Sequence, residues 1–155
     1  MALPFSATPD GDRLLALFQR HAEHHGHAVL TDAAGADAFL AGPGDRVLLL
    51  ADDPRLVPES WDVAVILPDA VKPVAAKLSV GLALPAVARP IAARYAINLW
   101  PALLFVRDGQ YVGALEGMRD WAVYAKEIPA MLDKPTSRAP GIGIPVASVG
   151  GVSCS

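Results

Sequence analysis

The chain has 155 residues and a mass of 16.2 kDa, enough for one domain that buries its own core without disulfides or metals. Hydrophobic residues make up 53% and charged residues 19%, which excludes disorder throughout, and a net charge of −3 with a pI near 5.7 argues against a nucleic-acid binder. The single cysteine, Cys154, excludes an intramolecular disulfide, and no apolar run approaches the roughly 18 residues of a membrane span.

Residues 1–11 read as a leader, with two prolines and a Pro-Asp-Gly turn signal at 9–11. They lack the basic-then-apolar order of a signal peptide, which together with the scarcity of cysteine points to the cytoplasm. From Asp12 the pattern turns helical: Leu14, Leu15, Leu17, Phe18 and Ala22 share a face, and Gly26 is the stop. Ala28 to Leu30 predicts a short strand, and Thr31 or Asp32 caps an Ala-rich helix to about Leu40, with Phe39 inward. A turn at 42–45 precedes Val47-Leu48-Leu49-Leu50, a continuous apolar run expected of a central strand covered on both faces.

After the loop Asp52-Asp53-Pro54, the segment from Glu59 to Ala76 has two readings. The valines around Asp62 to Leu67 suit a strand, but a helix bent by Pro68 and Pro73 supplies the second helical layer that the fold needs. Leu78 to Leu84 then reads as strand and Pro85 to Tyr95 as helix. Ala102 to Val106 and Gln110 to Leu115 form a hairpin through Asp108-Gly109, a turn that needs positive φ. Gly117 leads to a final helix capped by Asp120, in which Trp121, Tyr124, Ala125, Ile128 and Leu132 recur at helical spacing, Trp121 as core, and Pro129 kinks or shortens it. The domain is taken as 12–134, and 135–155, rich in Pro, Gly and Ser, as a flexible tail.

The order from Ala86 onward, helix, Trp100-Pro101, strand, Asp-Gly turn, strand, Gly117, helix, resembles the second half of a thioredoxin fold. The resemblance implies an α/β, thioredoxin-like three-layer architecture, a central mixed β-sheet with helices on both faces, and Pro101 as a cis-proline. The stretch matching the thioredoxin Cys-x-x-Cys is Asp52 to Pro58, which holds no cysteine. Without a thiolate there is no nucleophile for disulfide exchange.

Two phrases narrow the resemblance further. Val47 to Pro54 with Pro58-Glu59 behind it, and Gly109 to Gly117 followed by Asp120-Trp121-Ala122, are similar to the HupG/HyaE/HoxO-type hydrogenase accessory proteins, thioredoxin-like chains without the dithiol. That similarity, over roughly residues 12–133, implies a non-catalytic assembly chaperone in nickel–iron hydrogenase maturation. Its implied partner is the small-subunit precursor with its twin-arginine signal peptide, with room for a second accessory protein. In one branch the implied role is shielding iron–sulfur clusters from oxygen. No cofactor of the chain's own is implied.

Candidate binding residues follow from position and chemistry. Asp52, Asp53, Glu59 and Asp62 make an acidic loop beyond the central strand, where open α/β sheets bind ligands, suited to a pair of arginines; the alternative is a solvated, helix-capping loop. Trp61 and Trp100 flank the same end, and the backbone at Pro101 offers an edge for an added strand. His21, His24, His25 and His27 admit a nickel or zinc site by spacing, against half-buried packing beside Leu14 and Phe18. Cys154 reads as a bystander in the tail. No nucleophile elbow, phosphate loop or dinucleotide glycine pattern occurs. An adaptor for another client and a histidine-based metal-handling protein are the rival functions.

Overall fold

The computed structural model describes residues 11–140. Along the chain run α1 (Gly11–His25), β1 (Ala28–Leu30), α2 (Ala33–Ala41), β2 (Asp45–Leu50), α3 (Glu59–Val71) with a 3-10 turn at Lys72–Val74, β3 (Ser79–Ala83), α4 (Pro85–Arg94), β4 (Ala102–Arg107), β5 (Gln110–Glu116) and α5 (Trp121–Met131). The strands form one sheet in the order β1-β3-β2-β4-β5. The first three are parallel and the last two antiparallel, so the sheet is mixed as expected.

The apolar run in β2 does what such a run should at the centre of a sheet. Val47 and Leu49 face a core with Leu14 and Phe18 of α1, Leu67 of α3 and Ile128 of α5. Leu48 and Leu50 face the other core, with Phe39 of α2 and Ile91 of α4. All four are fully buried, each stabilising the fold by about 1.5–3 kcal/mol. The three layers are therefore α1/α3/α5, sheet and α2/α4.

Local signals account for most boundaries. Gly26 ends α1 at φ +72°, Asp32 caps α2 by accepting a hydrogen bond from Gly35 N–H at 2.7 Å, and Asp108 and Gly109 turn the β4–β5 hairpin at φ +50° and +82°. Asp120 stands at the N-cap of α5 but its side chain makes no cap bond there. Pro129 lies in the last turn of α5, which ends two residues later.

The helical reading of 59–76 holds for α3, because burial follows the helical period: Val63, Ala64, Leu67, Ala70 and Val71 are buried while Val65 is exposed. Pro68 within it has no N–H, so the carbonyl four residues back, Ala64, loses its helical donor. His21 supplies the replacement from α1, its Nε2–H donating to Ala64 O at 2.8 Å. That bond accounts for a histidine buried in the apolar stripe of α1.

At the far end, Arg107 donates to Asp45 and to the carbonyls of Met131, Leu132 and Lys134, tying the end of α5 to the hairpin. Residues 135–140, which composition alone assigns to the tail, return to the β5 edge: Ser137 N–H donates to Tyr111 O at 2.8 Å and Ala139 is buried. Residues 1–10 of the leader and 141–155 with Cys154 lie outside the described residues.

Candidate functional site

The sheet register brings three loops to one end. Leu50 pairs with Ala83 and with Ala102, and Ala102 pairs with Glu116, so the segments after β2, before β4 and after β5 meet there. The Trp100-Pro101 bond is cis, as the resemblance implied. Pro101 itself is buried, its carbonyl accepting from Gly117 N–H at 2.8 Å, so the surface beside it is made by its neighbours. Glu116 fixes those neighbours: its Oε1 accepts from the backbone N–H groups of Asn98 at 2.8 Å and Leu99 at 3.2 Å. Behind the next loop, the Tyr124 hydroxyl accepts from Arg119 N–H at 3.1 Å, and burial raises that phenol above its usual range.

The acidic loop is not held together by helix capping. Asp52 and Asp53 do not cap α3, whose N-cap is Pro58 without a side-chain bond. Instead Asp52 Oδ1 accepts from Asp53 N–H at 2.8 Å and Asp53 Oδ1 from Arg55 N–H at 2.9 Å, while buried Ser60 Oγ accepts from Asp52 N–H at 3.0 Å. Each carboxylate already carries an arginine: Arg89 of α4 reaches Asp52 at 2.6 Å, and Arg55 reaches Asp53 at 2.9 Å. The Arg55 bonds hold the Asp53 carboxyl below its usual range. Glu59 and Asp62, in the first turn of α3, are exposed. Their charge favours the helix start.

The tryptophans divide. Trp61 is half-buried against the α1/α3/α5 core with Arg13 over its ring at 5.9 Å, and Trp100 is half-buried against the α2/α4 core. They sit on opposite faces of the sheet. Trp121, expected as core, is exposed instead: it is the first residue of α5, and burial along its face begins one turn later with Tyr124, followed by Ile128 and Met131. Ala125 is likewise exposed.

The structure adds three residues that the sequence reading passed over: Leu56, Leu99 and Met118, all exposed in the loops at this end. The available signal was apolar residues outside any periodic stripe, next to a proline or glycine turn.

The histidines lie elsewhere. His21, His25 and His27 have ring centroids 5.5–5.8 Å apart at the end of α1, with His24 farther out. His21 and His27 are buried and His24 and His25 exposed. Burial first, then the neighbouring imidazoles, lowers His27 to about 4. His21 is also lowered, chiefly by burial. Among the described residues no group of three or more histidine, cysteine or carboxylate side chains is arranged to hold a metal ion. A cleft of about 370 Å³ between His25, His27, Arg46 and Ser79 opens at the strand starts, the end opposite Pro101. No helix among the described residues is long and apolar enough to cross a membrane.

Comparison with known proteins gives a consistent picture. The profile of the family described as "Hydrogenase-1 expression protein HyaE" matches residues 17–124. The hydrogenase expression/formation protein HoxO of Cupriavidus necator is 39% identical over 99% of this chain and 96% of its own length. HoxO of Azotobacter vinelandii is 36% identical over 90% of this chain and 93% of its own length. HupG of Bradyrhizobium diazoefficiens is 29% identical over 74% of this chain and 80% of its own length. Among solved structures, mitochondrial thioredoxin 3 of Saccharomyces cerevisiae superposes with a TM-score of 0.56, covering 68% of this chain and 95% of that one at 13% identity, a likeness of fold.

Proposed function

The chain belongs to the HyaE/HoxO/HupG family of hydrogenase expression and formation proteins, which places it in hydrogenase maturation, and from that premise we propose that it is a non-catalytic assembly chaperone. In this reading it binds the small-subunit precursor of a nickel–iron hydrogenase, including its twin-arginine signal peptide, in the cytoplasm before export. The binding end is that of the cis-proline, with Asp52, Asp53, Glu59, Trp61, Asp62, Trp100 and Pro101 in or beneath the contact surface.

The observation that carries the reading is a thioredoxin-like scaffold that keeps the cis-proline and lacks the dithiol. The cis-proline, the loops around it and the helix after the central strand are in place, and the stretch 52–58 contains no thiol. Ligands of open α/β sheets bind beyond the carboxyl ends of the strands, and β2 and β3 end there. A surface without a thiol has no nucleophile for disulfide exchange, and reversible binding suits a client held during assembly.

The test is genetic and biochemical. Deleting the gene in a hydrogenase-producing host should lower mature hydrogenase activity and leave small-subunit precursor unprocessed, with both restored by the intact gene. Undiminished activity and processing in the deletion strain would overturn the proposal.

A further inference from the structure

Five large apolar side chains are exposed among the described residues, and four of them mark the cis-proline end: Leu56 at 72%, Leu99 at 59%, Trp121 at 52% and Met118 at 47%. The fifth, Val65, lies on α3. They stand in the loops after β2, before β4 and after β5, and at the first residue of α5. Leu99 lies over Gly117, where a Cβ would stand 3.7 Å from that of Leu99, so two of the loops touch. Apolar surface gathered at one end of a small domain marks an interaction site.

The charged groups at the same end point away from arginine as the main anchor. Asp52 and Asp53 hold Arg89 and Arg55 of the chain itself, so a client guanidinium displaces a guanidinium and gains little by the exchange. Only Glu59 and Asp62 are exposed carboxylates of this loop that form no ion pair among the described residues. They complement basic residues at the rim, where charges steer an encounter more than they hold it. An apolar segment with a basic flank is the order of charge and hydropathy in a signal peptide.

We infer that the segment gripped at this end is the apolar stretch of the client peptide, with Leu56, Leu99, Met118 and Trp121 as its contacts and Glu59 and Asp62 facing its basic flank. The inference rests on the signal-peptide reading above and assigns the weight of binding within it. Glu116 is the positioning residue, since it fixes the backbone N–H groups of Asn98 and Leu99.

The test is fluorescence anisotropy with the labelled signal peptide of the hydrogenase small subunit, in three forms. Serines in its apolar stretch should weaken binding about tenfold or more, while glutamines for both arginines should weaken it by less than about threefold. On the protein, Leu99→Ser with Met118→Ser should cost about tenfold, and Val65→Ser should change nothing. Loss of binding on removing the arginines, with the Leu99/Met118 variant binding as wild type, would overturn the inference and spare the chaperone reading. A dimer in sedimentation that Leu99→Ser dissolves would assign the face to a second copy and overturn it too. Failure of the unmodified peptide to bind would overturn the signal-peptide reading itself.

Discussion

The bond from His21 to Ala64 makes a prediction that can be worked through. Pro68 removes the helical donor to the Ala64 carbonyl, and its ring crowds that carbonyl. His21 Nε2–H meets it at 2.8 Å in a buried setting. Replacing His21 by leucine, of similar size but without a donor, leaves a buried carbonyl unsatisfied, at a cost of about 1–3 kcal/mol. Pro68→Ala restores a backbone N–H at the position that normally bonds the Ala64 carbonyl. In that background His21→Leu should therefore cost about 1–2 kcal/mol less than in the wild type. Urea denaturation of the wild type, both single variants and the double variant measures this coupling. Burial lowers the His21 pKa, so the ring is neutral at pH 7 and the cycle is best run there or above. Additivity within about 0.5 kcal/mol would refute the claim that the histidine stands in for the missing helical donor.

Three further outcomes are expected. His27 is held at about 4 when folded against about 6.5 when unfolded, so the folded state binds fewer protons between those values. Its contribution is complete above pH 6.5 and falls as the pH drops toward 4. Stability should decline by about 2 kcal/mol between pH 7 and pH 5 from this group, and His27→Leu should flatten that part of the profile in denaturation series. Gly81→Ala should destabilise by about 1–3 kcal/mol, because its Cβ would stand 2.8 Å from the Phe39 ring and 3.1 Å from Leu48; an unchanged melting temperature would contradict this. Glu116→Ala should speed hydrogen exchange at the Asn98 and Leu99 amides while Glu116→Gln, which keeps an acceptor, should leave them protected.

The fold was legible where one signal dominated locally. The apolar run of β2 and the Asp108-Gly109 turn each have a single physical solution, and the structure adopts it; of the two candidate caps, Thr31 and Asp32, it uses Asp32. The segment 59–76 was ambiguous because its valines fit both periods; burial against α1 and the sheet decides for helix. Trp121 shares the helical face of Tyr124 and Ile128, and periodicity alone does not show that the first residue of α5 stands beyond the core that the later turns bury. Of the candidate site, the meeting of its loops at one end of the sheet was legible, and the pairing of its side chains was not. Asp52 and Arg89 are 37 residues apart, and no local pattern announces that the second neutralises the first. Leu56, Leu99 and Met118 carry no sequence signal of exposure, because loops have no periodicity against which an apolar residue stands out. Likewise, nothing in the sequence separation of 43 residues linked His21 to the consequence of Pro68.

The central claim is that this chain holds a hydrogenase small-subunit precursor by its signal peptide. The most direct measurement is a pull-down of the tagged protein from cells making the small subunit with and without that peptide. Retention of the full precursor, with little or none of the leaderless form, is the predicted result. Equal retention of both forms would contradict the signal-peptide part of the account, and retention of neither would contradict the chaperone assignment as a whole.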